Sequence, residues 1–580
     1  MGGIERHNLK TGESVGIRPE PPLAEPPYRF NWNSPIYLSP HDRNVLYFGG
    51  NFLFKSTDRG SSWTKASPDL TTNDPAKMKD SGGLTIDNTG AENHCTILTI
   101  TESPLKQGVI WVGTDDGQVQ VTRDGGKTWE NVTANIKGFG PGDNWVTRIE
   151  ASHFVEGGVY LTVSRHQVAD YRPYIFKSED FGKTWVSLKG DLPDYGYLHT
   201  VREDLENRNL LFVGSEFGLF ISADGGRKWI PYKGDFPTVA VRDIQIHPRE
   251  RDLIIATHGR GIWIIDDIRP LEKLTAEAVK AEAMLFDVPS AVQFTYRSTV
   301  DNYSDAGYAG TNSPYGAAIS YYLNPAAAAG ASVRLSVRDK EGREVSTPFA
   351  TREPGLNRVY WSLREGAAPP APAAGEMGGR GGGRSAGGFG PLALPGEYKA
   401  VLVVNGKTME APFTVVEDPD QGFSVEDRKA AQKFARDTQD LAQMGRTLLA
   451  ALDTTSKQLD DVASRVAGMK NADPAAAAKV KAVKEKVDAI KAVFYVSPPD
   501  QGFYRKPLFV AYRGGTAAEL VTGGRRSFGS AGAPTQTAID QYNDHKAFAE
   551  PLFQKMKDIT EKDIPELNKL LAEKGVPYIK

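Results

Sequence analysis

Four carboxylates fall in stretches that read as turns between short apolar strands: Asp115 and Asp116 in TDDG, Asp170 in SRHQVADYRP and Glu216 in SEFG. Two carboxyl groups flanking one bond, one as acid and the other as base or nucleophile, are what glycoside hydrolysis uses. The same turns, and the loops between repeat units, hold the cations Arg165, Arg172, Arg242 and Arg260, the imidazoles His94, His166, His199 and His258, and the rings Trp145, Tyr171 and Tyr197. Stacking rings and guanidinium forks beside carboxylates suit a sugar or a peptide, with or without chemistry. Taken singly, each is an ordinary solvated turn residue, and TDDG is good turn chemistry in its own right. The ten-residue turn SRHQVADYRP, at 164–173, is the least economical for folding and so the strongest local hint of function.

What would bring these turns together is a repeat. VLYFGGNFLFKSTDRGSSW, VIWVGTDDGQVQVTRDGGKTW and LLFVGSEFGLFISADGGRKW share an apolar strand, a polar glycine turn, a second alternating strand and a closing box. The box recurs as STDRGSSW, TRDGGKTW, SEDFGKTW and SADGGRKW, which carry Asp58 and Trp63, Asp124 and Trp129, Asp180 and Trp185, and Asp224 and Trp229. Another strand candidate precedes each unit, as SPIYLSP, TILTITESP, VTRIEASHF, TVREDLEN and RDIQIHPRE. This spacing predicts four-stranded antiparallel sheets repeated radially, a β-propeller. A fifth unit, LIIATHGRGIWIIDDIRPL, keeps Asp267 but has Ile268 and Arg269 where the glycine should follow, so the array ends near Arg269. GGIERHNLKTGES, at the start, reads as the closing strand and turn of a preceding blade. The expectation is a partial array of about five blades lacking its N-terminal part, because unpaired terminal edges are an aggregation liability.

Strand direction separates two faces. The turn between second and third strands returns to the face where the chain comes into each sheet, here the upper face. The box joins third to fourth strand on the opposite, lower face. In the box, the Asp carboxylate can accept backbone N–H bonds, Gly permits positive φ and Trp covers the hairpin, all structural tasks. The boxes are therefore expected to hold the fold, and the upper face to meet any ligand.

The pattern Ser/Thr-x-Asp-x-Gly-x-x-Trp resembles the Asp-box, or bacterial neuraminidase repeat, shared by sialidases, xyloglucanase-type glycoside hydrolases and sortilin-type receptors. RFNWNSPIYLSPHDRNVLYFGGN, the boxes and THGRGIWIIDDIRPL extend the likeness across nearly the whole chain. It resembles large bacterial BNR-repeat, sortilin-N-terminal-like proteins labelled glycosyl hydrolases. That resemblance implies an exported protein, periplasmic or extracellular, with tandem blades upstream; the hydrolase label rests mostly on the repeats themselves. A sialidase would show an Arg-Ile-Pro signature, and neither IRPE at 17–20 nor YRPY at 171–174 matches.

After Pro270, alternating β-branched and aromatic residues with DKEG and NGK turns predict an antiparallel, Ig-like sandwich over 272–420, with 367–391 as a disordered Gly/Pro/Ala loop. From Ser424 the pattern turns helical: a capping box at Ser424 and Asp427, a second helix from Pro474 to about Val493, and a third from about Thr537 to Lys574 interrupted by Pro551 and Pro565. The expected domains are thus 1–271, 272–420 and 421–580, the last a helical bundle that stabilises the molecule or docks a protein partner.

The 580 residues carry a formal net charge of -3, which gives no pull toward nucleic acid or anionic lipid. No apolar run is long enough to span a membrane, and the first residues lack the layout of a signal peptide. The single cysteine, Cys95, reads as a packed strand residue and excludes an internal disulfide framework. No His-x-x-x-His, cysteine cluster or Asp-rich loop is present, so no metal and no cofactor are expected. Recognition of glycan or peptide on the upper face is the leading function, and glycoside hydrolysis by two of Asp115, Asp116, Asp170 and Glu216 the alternative.

Overall fold

The computed structural model describes residues 2–79, 94–140, 144–275, 277–294, 314–367, 390–469, 473–494 and 531–573. The chain divides into two compact units, Met1–Ala281 and Glu282–Lys580.

The first unit is a succession of antiparallel meanders. The first sheet comprises Ile36–Leu38, Leu46–Gly49, Leu53–Ser56 and Thr64–Lys65; the second Ile97–Glu102, Ile110–Thr114, Val119–Thr122 and Glu130–Asn131. The third comprises Trp145–Ala151, Val159–Arg165, Asp170–Ser178 and Val186–Ser187; the fourth Leu198–Glu203, Leu211–Ser215, Gly218–Ser222 and Ile230–Pro231. The fifth has three strands, Val241–Ile246, Leu253–Thr257 and Ile262–Ile265. The second strands Ile110–Thr114, Val159–Arg165 and Leu211–Ser215 are buried at every residue, as sheets covered on both faces require. Each neighbouring pair of sheets shares a core: Tyr47 with Ile97, Trp111 with Leu161, Ile175 with Leu211, and Phe212 with Ile255.

Each box closes its turn with bonds from within its own loop. In each, the Asp carboxylate (Asp58, Asp124, Asp180 or Asp224) accepts the hydroxyl of the residue two before it and the backbone N–H four after it. Hydrogen bonds from Ser62, led by its hydroxyl, hold the Asp58 carboxyl down at about 2. The glycine two residues after the box Asp packs on the chain that leaves the preceding sheet: Gly126 on Ala66, Gly182 on Val132 and Gly226 on Leu188. A Cβ would collide with that chain at Gly126 and Gly182 and press tightly on it at Gly226, and φ lies between 80° and 101°. Gly60 meets Ile17 in the same way, and the Trp63 indole donates to Ile17 O at 2.6 Å as Trp129 does to Ala66 O at 3.0 Å. Ile17 therefore stands where Ala66, Val132 and Leu188 stand, and the hairpin Glu5–His7/Ser14–Gly16 occupies the place of a preceding sheet's outer strands.

Two expectations are corrected here. SRHQVADYRP is not a ten-residue turn: the hairpin runs on to pair Arg165 with Asp170, leaving a tight turn with Ala169 at φ 56°. The Asp170 carboxylate, bonded to Arg165, Arg172 and Tyr174, holds the strand ends together. Cys95 is buried but precedes the strand Ile97–Glu102, at φ 60°. Burial pushes its thiol up to about 11.

In the second unit, the three-stranded sheet of Ala283–Leu285, Ala317–Leu323 and Gly355–Trp361 shares one core with a six-stranded sheet. The latter runs, in spatial order, Ala291–Gln293, Lys407–Glu417, Gly396–Val404, Val333–Asp339, Glu344–Thr347 and Gly366–Ala367. The long central hairpin turns through Asn405 and Gly406, both at positive φ. The sheet is mixed rather than antiparallel throughout, because both edge strands, Ala291–Gln293 and Gly366–Ala367, run parallel to their neighbours. The expected loop 367–391 lies largely outside the described residues.

Helix Val425–Ala467 starts at the capping box of Ser424 and Asp427 and is pinned to the sandwich by Glu365, which accepts Arg436 Nε at 2.9 Å and Gln432 Nε2 at 3.3 Å. Its later turns share a core with helices Pro474–Phe494, Gln536–Asp558 and Ile564–Glu573. Pro551 does not interrupt the third segment; the break is the π-turn Ile559–Asp563, ahead of Pro565. Ala547, whose carbonyl loses its partner to Pro551, is exposed, so water can satisfy it.

Candidate functional site

Upper-face side chains are aimed by a repeated backbone irregularity. In sheets two to five, the first strand carries one extra residue opposite the second strand: Leu98, Thr147, His199 and Arg242. Such a bulge frees one residue from the ladder and re-aims its side chain. In the fourth and fifth sheets the freed residues are two of the predicted ligand groups, and they meet. Arg242 Nη1 donates to His199 Nδ1 at 3.3 Å, and His199 Nε2 lies 2.8 Å from Glu216 Oε2. Arginine only donates, so Nδ1 is the acceptor and Nε2–H donates to Glu216. Burial, then the Arg242 charge, keep the His199 imidazole well below its usual basicity, and it is neutral at pH 7. Burial pushes the Glu216 carboxyl up, but hydrogen bonds from His199 and Tyr197 outweigh it and leave it below the usual range.

The other three carboxylates do not form an open pair. Asp115 is fully buried; it accepts Thr96 N at 2.8 Å and Asn31 Nδ2 at 3.2 Å, and lies 3.8 Å from His94 Nδ1. Burial raises its pKa, with His94 and Thr96 opposing. Asp116 accepts Thr72 N at 2.7 Å, the Thr72 hydroxyl at 2.6 Å and the Thr114 hydroxyl, which joins the first sheet's exit loop to the second sheet. Asp170 takes a two-pronged bond from Arg172 and single bonds from Arg165 and Tyr174, and the bonds from Arg172, then Tyr174, hold it far below the usual carboxylate range.

What the structure does assemble is a run of rings across three sheets. His94 neighbours Trp145 at 6.3 Å, Trp145 neighbours His166 at 6.2 Å, and His166 stacks on Tyr197 at 4.7 Å and 14°. Tyr197 continues to His199 at 5.0 Å and to Tyr171 at 6.4 Å. Tyr171 leads to Tyr195 at 5.4 Å, and Tyr195 stacks on Phe217 at 5.6 Å. Exposure grades along the run, from 2% at His94 to 62% at Tyr195 and 46% at Phe217.

Of the predicted ligand groups, His94, Trp145, His166, Tyr171, His199 and Arg242 thus come together. Arg165 and Arg172 are engaged by Asp170, and Arg165 also by Asn144. His258 and Arg260 stand exposed on the fifth sheet's turn, and their side chains join none of these contacts. Sequence reasoning missed Tyr195 and Phe217, although Tyr195 lies two residues before the candidate Tyr197 and Phe217 lies in SEFG, and missed Asn31 and Thr72, whose partners lie far away in sequence. The lower-face aspartates meet none of the upper-face groups. Among the described residues, no group of three or more metal-ligating side chains converges, and no helix is long and apolar enough to cross a membrane.

No protein-family model matches the chain. An oligoxyloglucan-reducing end-specific xyloglucanase of Emericella nidulans is 28% identical over 167 residues, which are 27% of this chain and 17% of that enzyme. Among solved structures, the GH74 xyloglucanase of Xanthomonas campestris is similar with a TM-score of 0.31 and 19% identity, over 40% of this chain and 36% of that one. YCF48 from Cyanidioschyzon merolae is similar with a TM-score of 0.25 and 14% identity, over 42% of this chain and 73% of that one. The chain therefore spans well under two thirds of the length of the xyloglucanases it matches.

Proposed function

We propose that the first unit is a partial Asp-box β-propeller of an exported protein of the sortilin-like BNR type, and that its upper face recognises glycan or peptide without turning it over. The second unit is then an Ig-like sandwich carrying a helical module that docks a protein partner. The observation that carries this reading is the graded run of rings from His94 to Phe217, an apolar platform edged by Arg242, Glu216 and His199. Flat rings flanked by hydrogen-bonding groups hold sugar faces or peptide side chains at small entropic cost. The carboxylates fit binding better than hydrolysis: Asp170 is neutralised by arginines and Asp116 is saturated by Thr72 and Thr114.

One observation favours glycoside hydrolysis as a second reading. Asp115 has the raised pKa that a general acid needs, and the partial relative is named a xyloglucanase. Its burial and its bonds to Thr96 and Asn31 argue against it. The deciding experiment screens the purified chain on glycan and peptide arrays and measures reducing-sugar release on every glycan hit. Binding without release is expected. Release that disappears in Asp115→Asn would replace the binding reading with the hydrolytic one, and silence on both arrays would remove both.

A further inference from the structure

We propose that Arg148, which lies within a strand rather than in any turn, is a positioning residue for the His199, Glu216 and Arg242 cluster, acting through a closed set of bonds between three β-bulges. The inference rests on the reading of that cluster as part of a ligand surface.

The bulges of sheets three, four and five leave Thr147, His199 and Arg242 outside the ladder. A bulged residue has no cross-strand partner to fix its direction, so other contacts must. Three do. The Thr147 hydroxyl donates to the carbonyl of Leu198, the residue before His199, at 3.1 Å. Arg148, the residue after Thr147, passes the fourth sheet and donates from Nη2 to Asp243 Oδ1 at 2.6 Å. Asp243 is the residue after Arg242, and Arg242 returns to His199 Nδ1 at 3.3 Å. Third sheet to fourth, third to fifth and fifth to fourth, the three bulges brace one another.

The charges in this brace are consumed internally. Arg202 donates from Nε to Ile244 O at 2.8 Å and from Nη1 to Glu150 Oε1, and its Nη2 lies 3.9 Å from Asp243. Two arginines thus face two carboxylates, which leaves the group fit to hold backbone rather than to take a ligand. The second sheet supplies the contrast. Its bulge frees Leu98, which has no polar role, and the residue after it, Thr99, only accepts the N–H of Ile149 at 3.1 Å. Among the described residues, the ion pair that skips a sheet occurs where the freed residues are polar upper-face groups.

The test follows the His199 ring by NMR through a pH titration of the full chain, with the signal assigned by its loss in His199→Gln. The groups facing that ring are Glu216, Arg242, His166 and Tyr197. In Arg148→Met, Arg242 is expected to leave the ring while Glu216 stays, so the titration midpoint moves upward by about one pH unit. Arg148→Lys is expected to restore most of the wild-type midpoint, which a merely structural role would not require. Asp243→Ala, at a half-exposed position, reads the same bond from its other end and stands in if Arg148→Met does not fold. An unchanged His199 titration in a folded variant overturns the proposal. For any array hit, affinity is expected to fall about tenfold in both variants. A shifted His199 with no ligand found for the wild type keeps the brace and sinks the binding reading. Ligand binding with an unshifted His199 does the reverse.

Discussion

The lower-face boxes and the upper-face turns draw on the same amino acids, yet their surroundings differ in kind. Asp58, Asp124, Asp180 and Asp224 each accept, from their own loop, the hydroxyl two residues before and the backbone N–H four residues on, the latter at 2.9 Å. Asp115, Asp116, Asp170 and Glu216 share no common partner set, and the first two reach loops belonging to another sheet. Four environments built on one shared pair of bonds describe a part made to be repeated. Four different ones, on equivalent turns of the same repeat, describe positions released from that duty. Within a repeat, then, the departures from equivalence are the places to look for ligands, however much acidic chemistry the repeated element displays.

The largest expected effect separates the faces by stability. Trp229 is 5% exposed, packs in the core shared by the third and fourth sheets, and donates to Leu188 O at 3.0 Å. Trp229→Ala is expected to cost about 3 to 5 kcal/mol in urea denaturation. The affinity of the remaining folded protein for an array hit should not change. A box truncation that altered affinity while leaving stability intact would erase the contrast.

A second prediction uses opposite signs of acid dependence. Asp58 is held down at about 2, so the stability it contributes is present above its ordinary value of 3.8 and lost as pH falls through about 2. Asp115 is pushed up by burial, so its contribution is complete below its ordinary value of 3.8 and lost as pH rises through its raised value in the folded protein. Relative to Asp115→Asn, the wild type should therefore lose stability as pH rises from 4 to 7. Relative to Asp58→Asn it should gain as pH rises from 2 to 4. Paired denaturation series across pH decide it, and parallel curves for the two variants would mean that the two environments are not distinct.

The repeat was legible because each box carries its own instructions: Asp and Gly at fixed spacing close a turn with bonds local in sequence. The bulges were not, since Leu98, Thr147, His199 and Arg242 share no chemistry and the extra residue shows only in the pairing with the second strand. The same limit applies to SRHQVADYRP, which reads as a loop until Asp170 is seen to gather Arg165, Arg172 and Tyr174. His199 and Arg242 were named as candidates from their loops. That they touch depends on how two sheets stack, which neither strand encodes alone.

The smallest expected change in stability accompanies the clearest expected change in binding. Tyr195 and Phe217 stack at 5.6 Å at the open end of the ring run, and both are exposed. Little apolar area is lost when either is cut back, so Tyr195→Ala and Phe217→Ala should each shift stability by no more than about 0.5 kcal/mol. A ring that stacks on a ligand contributes directly to holding it, and each variant should weaken an array hit about tenfold in a titration. Ile230 is as exposed as Tyr195 but lies on the outer strand of the fourth sheet, so Ile230→Ala controls for loss of surface apolar area. If Tyr195→Ala and Ile230→Ala bind alike, the ring run is a packing feature of neighbouring sheets, and the difference between the faces is one of repetition alone.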